Sequence, residues 1–292
     1  MGGAQANLRG RLIVARRPAM VEPVSRLAAW SARLAWLSLV MAVLSIIILR
    51  SGFLEIVPAL ATFGGALVLA GLAILLSLAS SIVIWRQGLS GTGRAVTGFF
   101  IGLALLAYPG YFAYRGYYLP AIADITTDPV NPPRFDVIAR IRPRGSNEYP
   151  GAATAALQRS AYPDVAPLQV AAPPRAAYDI VLGVVTRRKW SMVDARPPSP
   201  TRREGTIEAV ARTTIMGFRD DVVIRVTPLG NASRVDVRSA SRYGQHDFGS
   251  NAARVRSLLD DIDDAVTAAP DPKVDPKAEP EKPPQRRAPA RR

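Results

Sequence analysis

Between Val57 and Trp85 the chain carries no charged residue. A helix needs only about 20 apolar residues to cross the hydrocarbon layer of a bilayer, and this stretch is longer. Two further apolar stretches flank it, from about Leu27 to Leu49 and from Ala95 to about Tyr114, whereas the sequence beyond Pro120 is polar. The contrast predicts an α-helical membrane bundle of three transmembrane helices followed by one α+β domain. A chain of 292 residues has room for that bundle and a domain of about 150 residues, not for two. The expected division is a basic cytoplasmic leader at 1–33, a transmembrane region at 34–120, an extracytoplasmic domain at 121–269 and a disordered Pro/Lys/Arg tail at 270–292.

Orientation follows from the basic residues, which favour the cytoplasmic side. The leader holds Arg9, Arg11, Arg16, Arg17, Arg26 and Arg33 against Glu22, and Arg86 and Arg94 follow the second apolar stretch. The connection after the first has Arg50 balanced by Glu55. This pattern places the N-terminus inside and the domain outside, in a multi-pass protein of the bacterial inner membrane with a periplasmic C-terminal domain. The first apolar stretch has no small-residue cleavage site, so it reads as a retained helix, not a signal peptide. Tyr108, Tyr111, Tyr114, Tyr117 and Tyr118 mark where the chain leaves the bilayer. Small residues at Thr62, Ala66, Ala70, Ala73, Ser77 and Ser80, and the Gly98/Gly102 pair, suit close helix packing within the chain, with a homo-oligomer as the alternative use. Ionisable groups are absent from the second stretch, which disfavours transport. Gly91 and Gly93 lack the Lys and Ser/Thr of a phosphate loop.

A formal charge of +14 would point a soluble protein to nucleic acid. With the domain outside, the expected partners are the membrane itself and an anionic lipid, a cell-wall polymer or another protein, and not nucleic acid. Zero cysteines exclude disulfides and thiolate chemistry, and the single histidine, His246, excludes a histidine-rich metal site within one chain. No metal or other cofactor is expected.

In the domain, Phe135 to Ile141 is predicted as a strand and Ala152 to Ser160 as a short helix. A helix starts at Pro173-Pro174 and carries Ala177, Ile180, Val181, Val184 and Val185 at helical spacing. Strands are expected at Trp190–Asp194, Thr206–Phe218, Val222–Thr227 and Arg234–Ser241, with turns at Arg219-Asp220-Asp221 and at Pro228 to Asn231. A last helix starts after Ser250 or Asn251, either of which can cap it, and runs to about Ala268 with Val255, Leu258, Leu259 and Ile262 inward. The result is an antiparallel sheet packed by helices. Alternation puts Ile207, Ala209, Ala211, Ile215, Val222, Ile224, Val226, Val235 and Val237 in the core. Glu208, Arg212, Arg225, Arg234, Asp236 and Arg238 fall on the other face, expected to be solvated and ion-paired, with an anion site as the alternative. The Asp220/Asp221, Asp260/Asp261 and Asp263/Asp264 pairs are expected in solvent.

The run Asp236-Val237-Arg238-Ser239-Ala240-Ser241-Arg242-Tyr243-Gly244, continued by Asp247, Gly249, Asn251 and Arg254, resembles the hallmark of the family called domain of unknown function 1499. Ile122 to Phe135 resembles that family's entry motif, and Tyr162-Pro163-Asp164 with Pro167-Leu168 its middle segment, followed by Trp190. The resemblance covers about Ile122 to Ile262. It implies membrane helices ahead of the domain, as bacterial members commonly have, and it implies no reaction.

Within that run Arg238, Ser239, Ser241, Arg242 and Arg254 are the candidate ligand-binding residues for an anion, and Asp247, Gly249 and Asn251 the structural motif of a turn and helix start. Arg238, Arg242 and Arg254 are expected either to converge on one carboxylate, Asp247, or to leave an anion site. No catalytic residue is assigned, and the protein reads as a binding or interaction module more than as an enzyme. One alternative is a carrier with an apolar cavity beneath Val255, Leu258 and Ile262. The other is a hydrolase, which requires Ser239 or Ser241 within hydrogen-bond reach of His246.

Overall fold

The structure, a computed structural model, describes residues 23–52, 56–142, 146–147 and 152–268. The chain forms two compact units, Met1–Tyr111 and Phe112–Arg292. The leader arginines up to Arg17 and the tail from Pro270 lie outside the described residues.

Among the described residues three helices are long and apolar enough to cross a membrane: α1 (Arg26–Ser51), α2 (Ile56–Gln87) and α3 (Thr92–Tyr118). The Ser25 side chain accepts from the Ala28 amide to cap α1, and Gly52 closes it in the left-handed conformation, donating to the Ile48 carbonyl. The buried residues of α1 are all small: Ala28, Ser31, Ala35, Ser38, Ala42 and Ser45, alternating three and four apart. Their counterparts on α2 are Ala59, Ala66, Ala70, Ala73, Ser77 and Ser80. Without a hydrophobic effect between lipid-embedded helices, close approach and hydrogen bonds hold them. Ser31 Oγ donates to the Ala73 carbonyl at 3.0 Å, and Ser77 Oγ to that of Ala95 at 2.6 Å. Thr62, expected on the α2 stripe, is exposed and bonds back to Pro58.

Gly98 and Gly102 of α3 face this packing. A Cβ on Gly98 would stand 1.9 Å from Ser31 Oγ, and one on Gly102 2.8 Å from the Ala70 carbonyl oxygen. Gly98→Val therefore overpacks the seam and displaces a hydroxyl already bonded to α2. We expect it to cost the bundle about 1–3 kcal/mol, read by detergent-induced unfolding of the full-length protein.

The second unit is built on a six-stranded antiparallel sheet: β1 (Asp124–Thr126), β2 (Leu168–Val170), β3 (Ser191–Arg196), β4 (Gly205–Arg212), β5 (Arg219–Leu229) and β6 (Ala232–Ser241). The order is β1-β6-β5-β4-β3, and β2 shares with β1 the outer edge of β6. One line of partners, Asp124, Ala240, Asp221, Val210 and Ser191, crosses five strands. Helices α4 (Val137–Ile141), α5 (Ala152–Ala161), α6 (Pro174–Arg187) and α7 (Ser250–Thr267) complete it. Apolar side chains at every second strand position meet Ala177, Val181, Val184 and Val185 of α6 and Val255, Leu258 and Ile262 of α7 in one core.

Several expectations are corrected. Phe135–Ile141 is not a strand: three successive amides at its α4 end, those of Asp136, Val137 and Ile138, donate to the Glu208 carboxylate, which gives the short helix its start. β4 ends at Arg212, so the connection is residues 213–218 and Arg219-Asp220-Asp221 belongs to β5. Ile215 consequently leaves the core and is 45% exposed. Asp220 and Asp221 are buried, not solvated. Strands β1 and β2 escape sequence reading because each is three residues long. β1 is completed by Gln158, whose side-chain amide accepts from the Thr126 amide and donates to its carbonyl.

Candidate functional site

Adjacent residues of a strand point to opposite faces, so the hallmark run of β6 is divided by its own geometry. Ser239 and Ser241 face the helices, while Arg238 and Arg242 face the other side of the sheet.

On the helix side Ser239 Oγ donates to Asn251 Oδ1 at 2.8 Å, and Asn251 Nδ2 donates to Ser241 Oγ and to the Ala123 carbonyl, both at 3.0 Å. Arg254 donates to Ser239 Oγ, to Asn251 Oδ1 and, through its other amino group, to the Asp220 carboxylate. This network ties α7 to β5, β6 and the entry of β1. At the helix start Asp247 accepts from the Gly249 amide at 2.8 Å and from the Asn251 amide at 2.7 Å. Gly249 holds φ of 77°, a conformation that favours glycine. Gly249 is the N-cap of α7, in place of the expected Ser250 or Asn251, and Asp247 holds the turn ahead of it.

On the opposite side Arg238 forms a forked pair with Asp124, Nε to Oδ1 at 3.0 Å and Nη2 to Oδ2 at 2.6 Å. It also donates to the Pro133 carbonyl and stands 4.8 Å from the Phe135 ring centre. Arg242 pairs with Asp221 at 2.7 Å. Further along the sheet Arg225 and Arg234 both meet Asp236 and Asp128, and Arg196 reaches Asp136, Asp194 and Glu208. Residues 127–142 contribute many of these partners, and of the face expected in solvent Glu208, Asp236, Arg225 and Arg238 are buried, with Asp221 and Arg242 beside them, while Arg234 is half-buried and Arg212 exposed. Charges taken from water are tolerated where forks and backbone groups satisfy them, as at Arg238 and Glu208.

The five candidate anion residues therefore do not share one surface. Arg238, Arg242 and Arg254 do not converge on Asp247 either; each has its own carboxylate, Asp124, Asp221 and Asp220. The partners that sequence reading missed are chiefly Asp124, Asp221 and Glu208. Their signal is charge of both signs recurring at alternate positions of β4, β5 and β6, a pattern that pairs internally when a segment covers it.

Burial leaves a mark on two of these carboxyls. Desolvation pushes Asp221 above its ordinary value despite Arg242, and one of its oxygens is buried without a hydrogen bond. Desolvation likewise raises Asp247, against the opposing amides of Asn251 and Gly249. A carboxyl raised by folding binds its proton more tightly in the native state. Its contribution to stability is complete below the ordinary 3.8 and is lost as pH rises through the raised value. The stability advantage of the wild type over Asp247→Asn should therefore shrink as pH climbs from below 3.8, measured as urea midpoints of the full-length protein in micelles. A difference independent of pH would contradict this.

His246 accepts from the Phe248 amide at Nδ1, so Nε2 carries the proton and donates to the Leu119 carbonyl at 3.1 Å. Both ring nitrogens are committed to backbone, and Ser239 and Ser241 are bonded to Asn251. The geometry of a serine nucleophile with a histidine base is not formed. Val255, Leu258 and Ile262 are fully buried in the continuous apolar core, so the space beneath α7 is filled with side chains. Among the described residues no cluster of His, Cys, Asp and Glu is suited to a metal ion.

Residues 124–262 match the family model described as Protein of unknown function (DUF1499). No curated protein matches the sequence. Among solved structures the chain is similar to CalU16 from Micromonospora echinospora, at 13% identity over 35% of this chain and 74% of that chain, with a TM-score of 0.25. It is also similar to TTHA0849 from Thermus thermophilus, at 14% identity over 35% of this chain and 95% of that chain, with a TM-score of 0.21.

Proposed function

We propose that this protein is a membrane-anchored binding module whose domain lies on the periplasmic side of a bacterial inner membrane and engages an anionic envelope ligand. One observation carries the reading. Every carboxylate between Gly205 and Asp247, namely Glu208, Asp220, Asp221, Asp236 and Asp247, is buried, whereas Arg212 and Arg219 of the same strands are exposed. The sheet uses its acids internally and turns arginine outward, which is a surface suited to carboxylate or phosphate. The serines and the histidine, all spent on holding α7 and the entry segment, favour binding over hydrolysis.

Periplasmic placement rests on the arginines at Arg86 and Arg94 and on the leader. Reporters active only in the cytoplasm or only in the periplasm, fused after Gly52, Gly91 and Val266, test it. Periplasmic signal at Gly52 and Val266 with cytoplasmic signal at Gly91 is expected. Cytoplasmic signal at Val266 would overturn the envelope ligand and return nucleic acid as the partner of a basic domain.

A further inference from the structure

The register of the sheet identifies one end of the domain as different from the rest. The chain enters β1 at Asp124, whose line of partners runs through Ala240 and Asp221 to Val210. Arg212 and Arg219 lie two residues beyond that line, on the side from which the chain arrives at Asp124, and face each other directly across the β4–β5 pair. Residues 213–218 therefore project toward the end of the domain where Ile122 and Leu119 lie. Neighbouring strands are about 4.8 Å apart, so three spacings separate β4 from β1 by roughly 14 Å. Tyr117 and Tyr118, seven and six residues before Asp124, are 84% and 66% exposed.

The loop at this end is shaped, not loose. The Thr213 amide donates to the Phe218 carbonyl, the Phe218 amide to Thr213 Oγ1, and Gly217 supplies φ of 73°. Met216 folds inward while Ile215 points out, 45% exposed, between the two arginines. Tyr243 follows β6 at the same end and is 40% exposed. An apolar tip flanked by cations, at the end of the sheet that also carries Tyr243, has the chemistry of an interfacial membrane contact.

We propose that the 213–218 loop is a bilayer-contacting tip: Ile215 enters the headgroup region and Arg212 and Arg219 bind the phosphates of anionic lipid. This deepens the anion-binding reading above and rests on it, since it names the ligand as the lipid surface.

The chain has no cysteine, so a single one can be labelled cleanly. Full-length Ile215→Cys and, as a control at the β5–β6 turn, Leu229→Cys would each carry an environment-sensitive nitrobenzoxadiazole dye. Both would be placed in phosphatidylcholine nanodiscs with and without phosphatidylglycerol. Quenching by nitroxide lipids is expected at position 215 and not at 229, and to be strengthened by phosphatidylglycerol. Replacing Arg212 and Arg219 by Gln should weaken the contact equilibrium by about five-fold per arginine. Both substitutions are at exposed positions, and an unchanged thermal unfolding curve checks that the domain is intact. Equal quenching at 215 and 229 would overturn the proposal. If the dye at 215 then still responds to heparin, a soluble anionic polymer, anion binding survives and only the lipid assignment falls. If it responds to neither, both fall.

Discussion

Arg238→Ala should cost the domain about 3–5 kcal/mol, the loss that follows when one partner of a buried ion pair is removed. The side chain is buried, and its partner Asp124 is 2% exposed. Truncation leaves that carboxylate in the interior with no cation and leaves the Pro133 carbonyl without its donor. It also removes the guanidinium from the face of Phe135. β1 pairs with β6 directly at this point, Thr126 with Arg238, so the damage reaches the ladder that closes the outer edge of β6. Trp190 is the only tryptophan beyond Trp85 and reports on urea unfolding of the domain within the full-length protein. The double change Arg238→Met with Asp124→Leu should recover most of the loss, because it removes both charges and restores volume. A single-variant loss near zero would mean that the pair is solvated and available to a ligand.

Glu208→Ala comes next, at about 3 kcal/mol. Its carboxylate accepts from the amides of Asp136, Val137 and Ile138 and from Arg196, and it is fully buried. Hydrogen bonds to a charged group are each worth about 1.5–3 kcal/mol, part of which solvent recovers when the segment opens. Because three of the four partners belong to residues 127–142, the effect should be local as well as global. Hydrogen exchange at Val137 and Ile138 should rise more than at the centre of β5. Glu208→Gln, which keeps an acceptor and the volume, should lie between wild type and Ala. Uniform acceleration across the sheet would contradict a latch role for Glu208.

What the sequence made legible was whatever rests on periodicity. The three apolar helices, the Pro-led start of α6, the inward face of α7 and the alternation along β4, β5 and β6 are local patterns, and the structure has them. Alternation reports which side chains share a face; it does not report what covers that face. Glu208, Asp236 and Arg238 therefore read as solvated, and the cover is a Pro-rich stretch with no apolar period to announce it. Asp124 lies 114 residues before Arg238, a separation no spacing rule bridges. The same limit displaced the candidate site: Arg238, Ser239, Ser241 and Arg242 are near neighbours in sequence, yet a strand sends them to two faces. The small-residue stripe of α1, at Ala28, Ser31 and Ala35 onward, was as regular as that of α2 and could have been found by the same rule.

These observations divide the arginines into struts and surface. Arg225 and Arg238 hold the sheet to its cover, Arg242 is buried on Asp221 of β5, and Arg212 and Arg219 face outward. Phenylglyoxal modification of the folded full-length protein, mapped by mass spectrometry, tests that division. Arg212 and Arg219 should be modified while the domain is folded, with Arg225, Arg238 and Arg242 protected until it unfolds. Modification of Arg238 or Arg242 at the rate of Arg212 would contradict it, and would place an open anion site within the hallmark run of β6.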